Sequence, residues 1–156
     1  VFVHVLAAFG FVLAHGASAL VAFRVRAERE PQRIAALLDL SFASTYTMYL
    51  SLLVLFVAGV AAGVVGAWFG RLWIWAAIAV LVAVTGAMLV FAVPYYERVS
   101  AAVGRPSPRS RPEQPPPPAP PGELAALLDS RRPEVITAIG GVGLALLVWL
   151  MVFKPF

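Results

Sequence analysis

A 156-residue chain with 61% hydrophobic and 13% charged residues does not have the composition of an ordinary soluble domain. It contains no cysteine, which excludes disulfides, thiolate nucleophiles and thiolate metal sites. The net charge of +4 would suggest nucleic acid for a soluble protein, but the positions of the arginines point to membrane topology and anionic lipid headgroups instead.

The first apolar run, Phe2–Phe23, is long enough to cross a bilayer core as a helix. It holds both histidines of the chain, His4 and His15, and a stripe of small residues at Ala7, Gly10, Ala14 and Ala17. Ala17-Ser18-Ala19 has the form of a signal-peptidase site, but the residues before it carry no positive charge, so the run is read as a retained helix. A short charged connection, residues 24–41, follows with Arg24, Arg26, Arg29 and Arg33. It ends in the pentapeptide AALLD, Ala35–Asp39, whose leucines are expected to rest in the membrane interface on a short amphipathic turn. Asp39 or Ser41 is then placed to cap the next helix.

The second run, Phe42–Gly66, carries Gly59 and Gly63 four residues apart, a spacing that lets helix backbones approach closely. A tight turn near residues 67–71 leads to the third run, Leu72–Val93, with Met88 near its end. The next connection, residues 97–133, contains RPSPRSRPEQPPPPAPPG; its nine prolines predict an extended linker over residues 104–122. AALLD then recurs at Ala125–Asp129, again just before an apolar run, with Asp129 or Ser130 as the expected cap and Pro133 in the first turn. That last run, Val135–Phe153, carries Gly140, Gly141 and Met151.

The expected fold is an all-α integral membrane protein with four transmembrane helices, and the matched positions of AALLD favour two parallel helical hairpins. Coincidence in a sequence rich in Ala and Leu is the competing explanation. Ten arginines flank the ends that share the 1–2 and 3–4 connections, against Arg71 and Lys154 at the opposite ends. The positive-inside rule therefore puts those connections in the cytoplasm and both termini outside. Trp68, Trp73, Trp75 and Trp149 fall near the outer boundary, and Tyr46, Tyr49, Tyr95 and Tyr96 near the inner one, where interfacial aromatics are expected. Eleven arginines to one lysine suit a GC-rich bacterial genome, so the expected location is a bacterial inner membrane.

His4 and His15 lie about three turns apart on nearly one face, roughly 16 Å along the axis, so one metal or haem iron cannot take both from a single chain. Counting inward puts His4 level with Met151, and His15 level with Thr85, Gly86, Gly140, Gly141 and Ser51, with Met88 a turn deeper. An ionisable side chain inside a membrane is costly to bury, which makes each histidine a candidate ligand; a packed, hydrogen-bonded histidine is the alternative for both. His15, His4, Met88 and Met151 are the candidate cofactor-binding residues, for haem b or, as the alternative, copper. Gly59, Gly63, Gly140 and Gly141 are the candidate packing seams, suited to a homo-oligomer or to other membrane subunits.

The opening VHVLAAFGF, with His4 near the start of the first span, resembles the first helix of the CopD and HemJ-type bacterial membrane proteins. That resemblance implies a compact helical bundle linked to copper handling or to haem-dependent protoporphyrinogen oxidation. Of the two histidines, His4 falls on the family pattern; Phe11, Leu13 and Ala14 stand where such proteins carry Trp and paired glycines. No motif identifies an enzyme, and every acid lies in a connection or at a helix end. The resulting expectation is a small membrane protein that binds haem b or copper in electron transfer or as an accessory subunit. A non-catalytic assembly subunit comes second. A small transporter comes third, because no charge marks an ion path inside any span.

Overall fold

The computed structural model describes residues 1–106 and 117–156. Its order is α1 (Phe2–Ala27), α2 (Pro31–Val65), a 3₁₀ turn (Trp68–Gly70), α3 (Leu72–Ala102), α4 (Pro121–Leu128) and α5 (Arg132–Phe153). Four of these segments are long and apolar enough to cross a membrane. The part of the proline-rich linker at residues 107–116 lies outside the described residues.

The four long helices form two antiparallel pairs, α1 with α2 and α3 with α5. The pairs meet where α1 faces α5 and α4. Because the α2–α3 turn is short, α3 runs parallel to α1, and the bundle is two parallel hairpins. One end carries the arginine-rich connections (the basic end) and the other carries the tryptophans.

Two helix boundaries differ from expectation. The first AALLD is not a separate interfacial turn; α2 starts at Pro31 and runs unbroken through it. Proline suits the first turn, where its missing N–H has no intrahelical partner to lose, and neither glycine nor proline interrupts the chain again before Gly59. At 1.5 Å per residue α2 is roughly 50 Å long, well beyond an apolar core of about 30 Å, so its first turns project past the membrane. Asp39 therefore sits inside a helix, and neither it nor Ser41 caps one. Likewise α3 passes through Pro94 and continues to Ala102. Hydropathy marks where a helix leaves lipid, not where it ends.

The second copy behaves as expected in part: α4 is a short separate helix, and Pro133 lies in the first turn of α5. Asp129 is the C-cap residue of α4, and α5 begins with no side-chain cap bond from Asp129 or Ser130. The Ser130 hydroxyl instead donates back to the Leu127 carbonyl at 2.7 Å.

The repeat is longer than five residues. PQRIAALLD (31–39) and PGELAALLD (121–129) share the opening proline, an aliphatic residue and the terminal aspartate. Ile34 and Leu38 of the first copy, and Leu124 and Leu128 of the second, are buried rather than resting in the lipid interface. They join Val21, Val25, Tyr95, Val99, Ala102 and Ile136 in one core at the basic end. Tyr95 is thus no interfacial anchor: it is 1% exposed, with its hydroxyl donating to the Leu127 carbonyl at 3.4 Å. Tyr46 and Tyr49 do remain exposed.

At the tryptophan end, Lys154 lies over the Trp68 and Trp73 rings, 4.8 and 5.7 Å from their centroids, in cation–π contact. The Trp73 amide donates to the Phe156 carbonyl at 3.4 Å, which ties the end of the described chain to the α2–α3 turn. Trp73 is consequently buried, while Trp75 and Trp149 face outward.

Candidate functional site

The two histidines of α1 have different neighbours. His4 turns within its own hairpin. Its Nδ1 is 2.8 Å from the Leu55 carbonyl oxygen, and because a carbonyl can only accept, that nitrogen carries the proton. The ring lies on Gly59, where an added Cβ would come within 2.9 Å of it. A glycine on α2 thus makes the notch, and a backbone carbonyl satisfies the imidazole. Met151, expected at the same level, is exposed on α5.

His15 turns toward the other hairpin. Its ring stacks on Phe11, 5.7 Å between centroids and 5° between planes, as expected for residues one turn apart. Its tip lies on Gly140 of α5: a Cβ there would be 2.7 Å from Nε2 and 2.9 Å from the Met88 methyl carbon. The ring nitrogen and the methionine therefore converge over one glycine, bringing together α1, α3 and α5. Axial counting puts Gly140 level with His15 but Met88 a turn deeper; the structure brings all three together. Gly141 faces open space.

No side chain or carbonyl among the described residues makes a hydrogen bond to the His15 ring. Neither Thr85 nor Ser51 orients the ring; the Ser51 hydroxyl lies against Gly10 instead. A half-buried imidazole inside an apolar bundle is thereby left without a polar partner. Where water is excluded, an unfilled hydrogen-bonding valence of this kind is expensive. Among the described residues no three His, Asp or Glu side chains cluster as a metal-ligand set.

A macrocycle and a single ion make different demands on this corner. A haem held at Nε2 would need room for a flat macrocycle beside α5. One soft ion would need only an imidazole nitrogen and a thioether, and Met88 brings the methyl end of its thioether to this corner.

The remaining glycines are packing positions. Gly63 receives Phe69 and Ile74, and Gly143 receives Val84 so closely that a Cβ would lie 2.4 Å from a Val84 methyl.

Sequence reasoning missed the polar links between the hairpins. Arg29, just after α1, bonds Asp129 at 2.8 Å, and Arg105, just after α3, bonds Asp39. A second nitrogen of Arg105 donates to the Ala35 carbonyl at 2.6 Å. Arg26 of α1 pairs with Glu134 of α5. The signal was available: each AALLD ends in an acid, and each hairpin's first long helix is followed by arginine.

Comparison with family models, with curated proteins and with solved structures finds no match.

Proposed function

We propose that this chain is a bacterial inner-membrane protein that holds a soft metal ion, copper(I), between its two hairpins, using the His15 imidazole and the Met88 thioether. In this role it serves copper handling or electron transfer as an accessory subunit, with the basic connections in the cytoplasm. The observation that carries this reading is the unpartnered His15 ring converging with Met88 over Gly140. Copper(I) accepts both donor types and tolerates low coordination numbers. The likeness of VHVLAAFGF to CopD-type proteins points the same way, although it falls on His4.

The test is anaerobic copper(I) titration of detergent-purified protein against a chromogenic chelator, with absorption spectra and metal analysis on the same sample. The expected result is one copper(I) per chain, lost in His15→Ala, weakened in Met88→Leu and kept in His4→Ala. A Soret band that disappears in His15→Ala would transfer the site to haem b. Protein that neither carries metal nor takes up copper(I) would sink the reading.

A second reading, a non-catalytic assembly subunit that docks on other membrane subunits or on its own copy, is favoured by Gly141, a seam glycine with open space beside it. A bulky replacement at Gly141, which faces open space in the single chain, would then disrupt assembly while either histidine tolerates exchange.

A further inference from the structure

We propose that the bend of the first hairpin is a headgroup site for an anionic phospholipid, with Arg24 as its phosphate ligand. This is independent of the metal site.

A groove of about 520 Å³ opens there between the end of α1 and the start of α2, lined by Arg24, Ala27, Glu28, Arg33, Ala36 and Leu37. Its charges are not equivalent. The Glu28 carboxylate accepts the amide N–H groups of Arg29 at 2.9 Å and Glu30 at 3.1 Å. Arg33 is held by Glu30 at 2.7 Å and lies 3.9 Å from Glu28. Arg24 makes no ion pair among the described residues and is exposed. It is the uncompensated charge of the groove, and a guanidinium is suited to grip phosphate oxygens bidentately.

The side of α1 leading to Arg24 suits the rest of such a lipid. Phe9, Leu13, Gly16 and Leu20 precede it at steps of three or four residues, so all five fall on one helix face. Phe9, Leu13 and Leu20 are 64, 73 and 70% exposed, and Gly16 has open space beside it. From Leu13 to Arg24 is roughly 16 Å along the axis, about the apolar depth of one leaflet. An acyl chain lying on this track brings its phosphate to Arg24 at the mouth of the groove. A zwitterionic lipid fits the track equally well, but its own cation offsets its phosphate and leaves the charge of Arg24 uncompensated. The groove therefore selects an anionic headgroup.

The test is native mass spectrometry of the detergent-purified full chain titrated with dioleoyl phosphatidylglycerol, dioleoyl phosphatidylcholine or inorganic phosphate. One phosphatidylglycerol should be retained in preference to phosphatidylcholine. Arg24→Gln should weaken that retention about fivefold, the effect of losing one basic residue near an anionic lipid surface. Arg98→Gln, which removes an exposed arginine from α3, should leave it unchanged; circular dichroism checks that both variants fold. Equal retention of the two lipids, an unaffected Arg24→Gln, or an equal loss in Arg98→Gln would overturn the site. Inorganic phosphate binding with the same Arg24 dependence would make it a free-anion site and overturn the lipid assignment.

Discussion

Arg29 and Asp129 lie 2.8 Å apart, and the relationship is returned by Arg105 and Asp39. In each case an arginine after one hairpin's first long helix holds the aspartate that closes the other hairpin's PxxxAALLD segment. The two segments therefore correspond in tertiary role as well as in sequence: both bury two aliphatic residues in a shared core and offer their aspartate to the opposite hairpin. Below these links the hairpins rest on one another through the corner of His15, Met88 and Gly140.

The exchange of arginines predicts coupling that is measurable but small. Arg29 and Asp129 are both more than half exposed, so solvent screens them. A double-mutant cycle of Arg29→Gln and Asp129→Asn, read by thermal unfolding in detergent, should give a coupling of about 0.2–1 kcal/mol. Raising the salt to 1 M should shrink it further. A larger, salt-independent coupling would mean that lipid or a partner shields the pair.

Glycine seams make a sharper contrast. At Gly143 a Cβ would overlap Val84, whereas at Gly141 it would meet nothing. Gly143→Ala should destabilise the bundle by about 1–3 kcal/mol, the usual range for overpacking, and Gly141→Ala should be neutral or slightly stabilising through helix propensity. The two variants differ by a single methyl two residues apart, so equal effects on unfolding would contradict the packing of α3 on α5.

Much of this was legible before any coordinates. Four spans, two hairpins and the shared level of His15 and Gly140 follow from hydropathy, the AALLD recurrence and a rise of 1.5 Å per residue, whereas Met88 counts a turn deeper than the structure places it. Helix ends were not legible from hydropathy, because α2 and α3 continue as helix after leaving the apolar layer. Orientation about a helix axis was also hidden. His4 and His15 share a nominal face of α1, yet one seats on α2 and the other on α5, since a helix between two neighbours presents that face to each in turn. Tyr95 shows the remaining limit: an aromatic near the expected interface reads as an anchor until a neighbouring carbonyl satisfies its hydroxyl in the core.

The connection between α1 and α2 predicts an acid-sensitive contribution from Glu28. Amide N–H groups of Arg29 and Glu30, and then the nearby charges of Arg33 and Arg29, hold its carboxyl below the ordinary value of 4.5. A depressed carboxyl pKa stabilises the folded state above the unfolded-state value, and that stability is lost as pH falls through the folded one. Thermal unfolding from pH 6 down to pH 3 should show the native chain losing its advantage over Glu28→Gln below about pH 4.5. A pH-independent difference between the two would remove Glu28 as the cause.

At the opposite end, Ala67 has φ of 53°, in the left-handed region, between the C-terminus of α2 and the 3₁₀ turn. A Cβ is strained there by roughly 1–2 kcal/mol, while glycine adopts the conformation freely. Ala67→Gly should therefore raise the unfolding free energy by a smaller amount, about 0.5–1 kcal/mol, because glycine also widens the unfolded ensemble that folding must restrict. The neighbouring Gly66 offers the opposite control. There φ is −83°, so the backbone permits a side chain, but an added Cβ would come within 2.5 Å of the Trp68 indole. Gly66→Ala should displace that ring from beneath Lys154 and weaken the cation–π contact that ties α5 to the α2–α3 turn. Tryptophan fluorescence should shift in Gly66→Ala and stay put in Ala67→Gly. Stabilisation by both substitutions would mean that the turn has a different backbone from the one described.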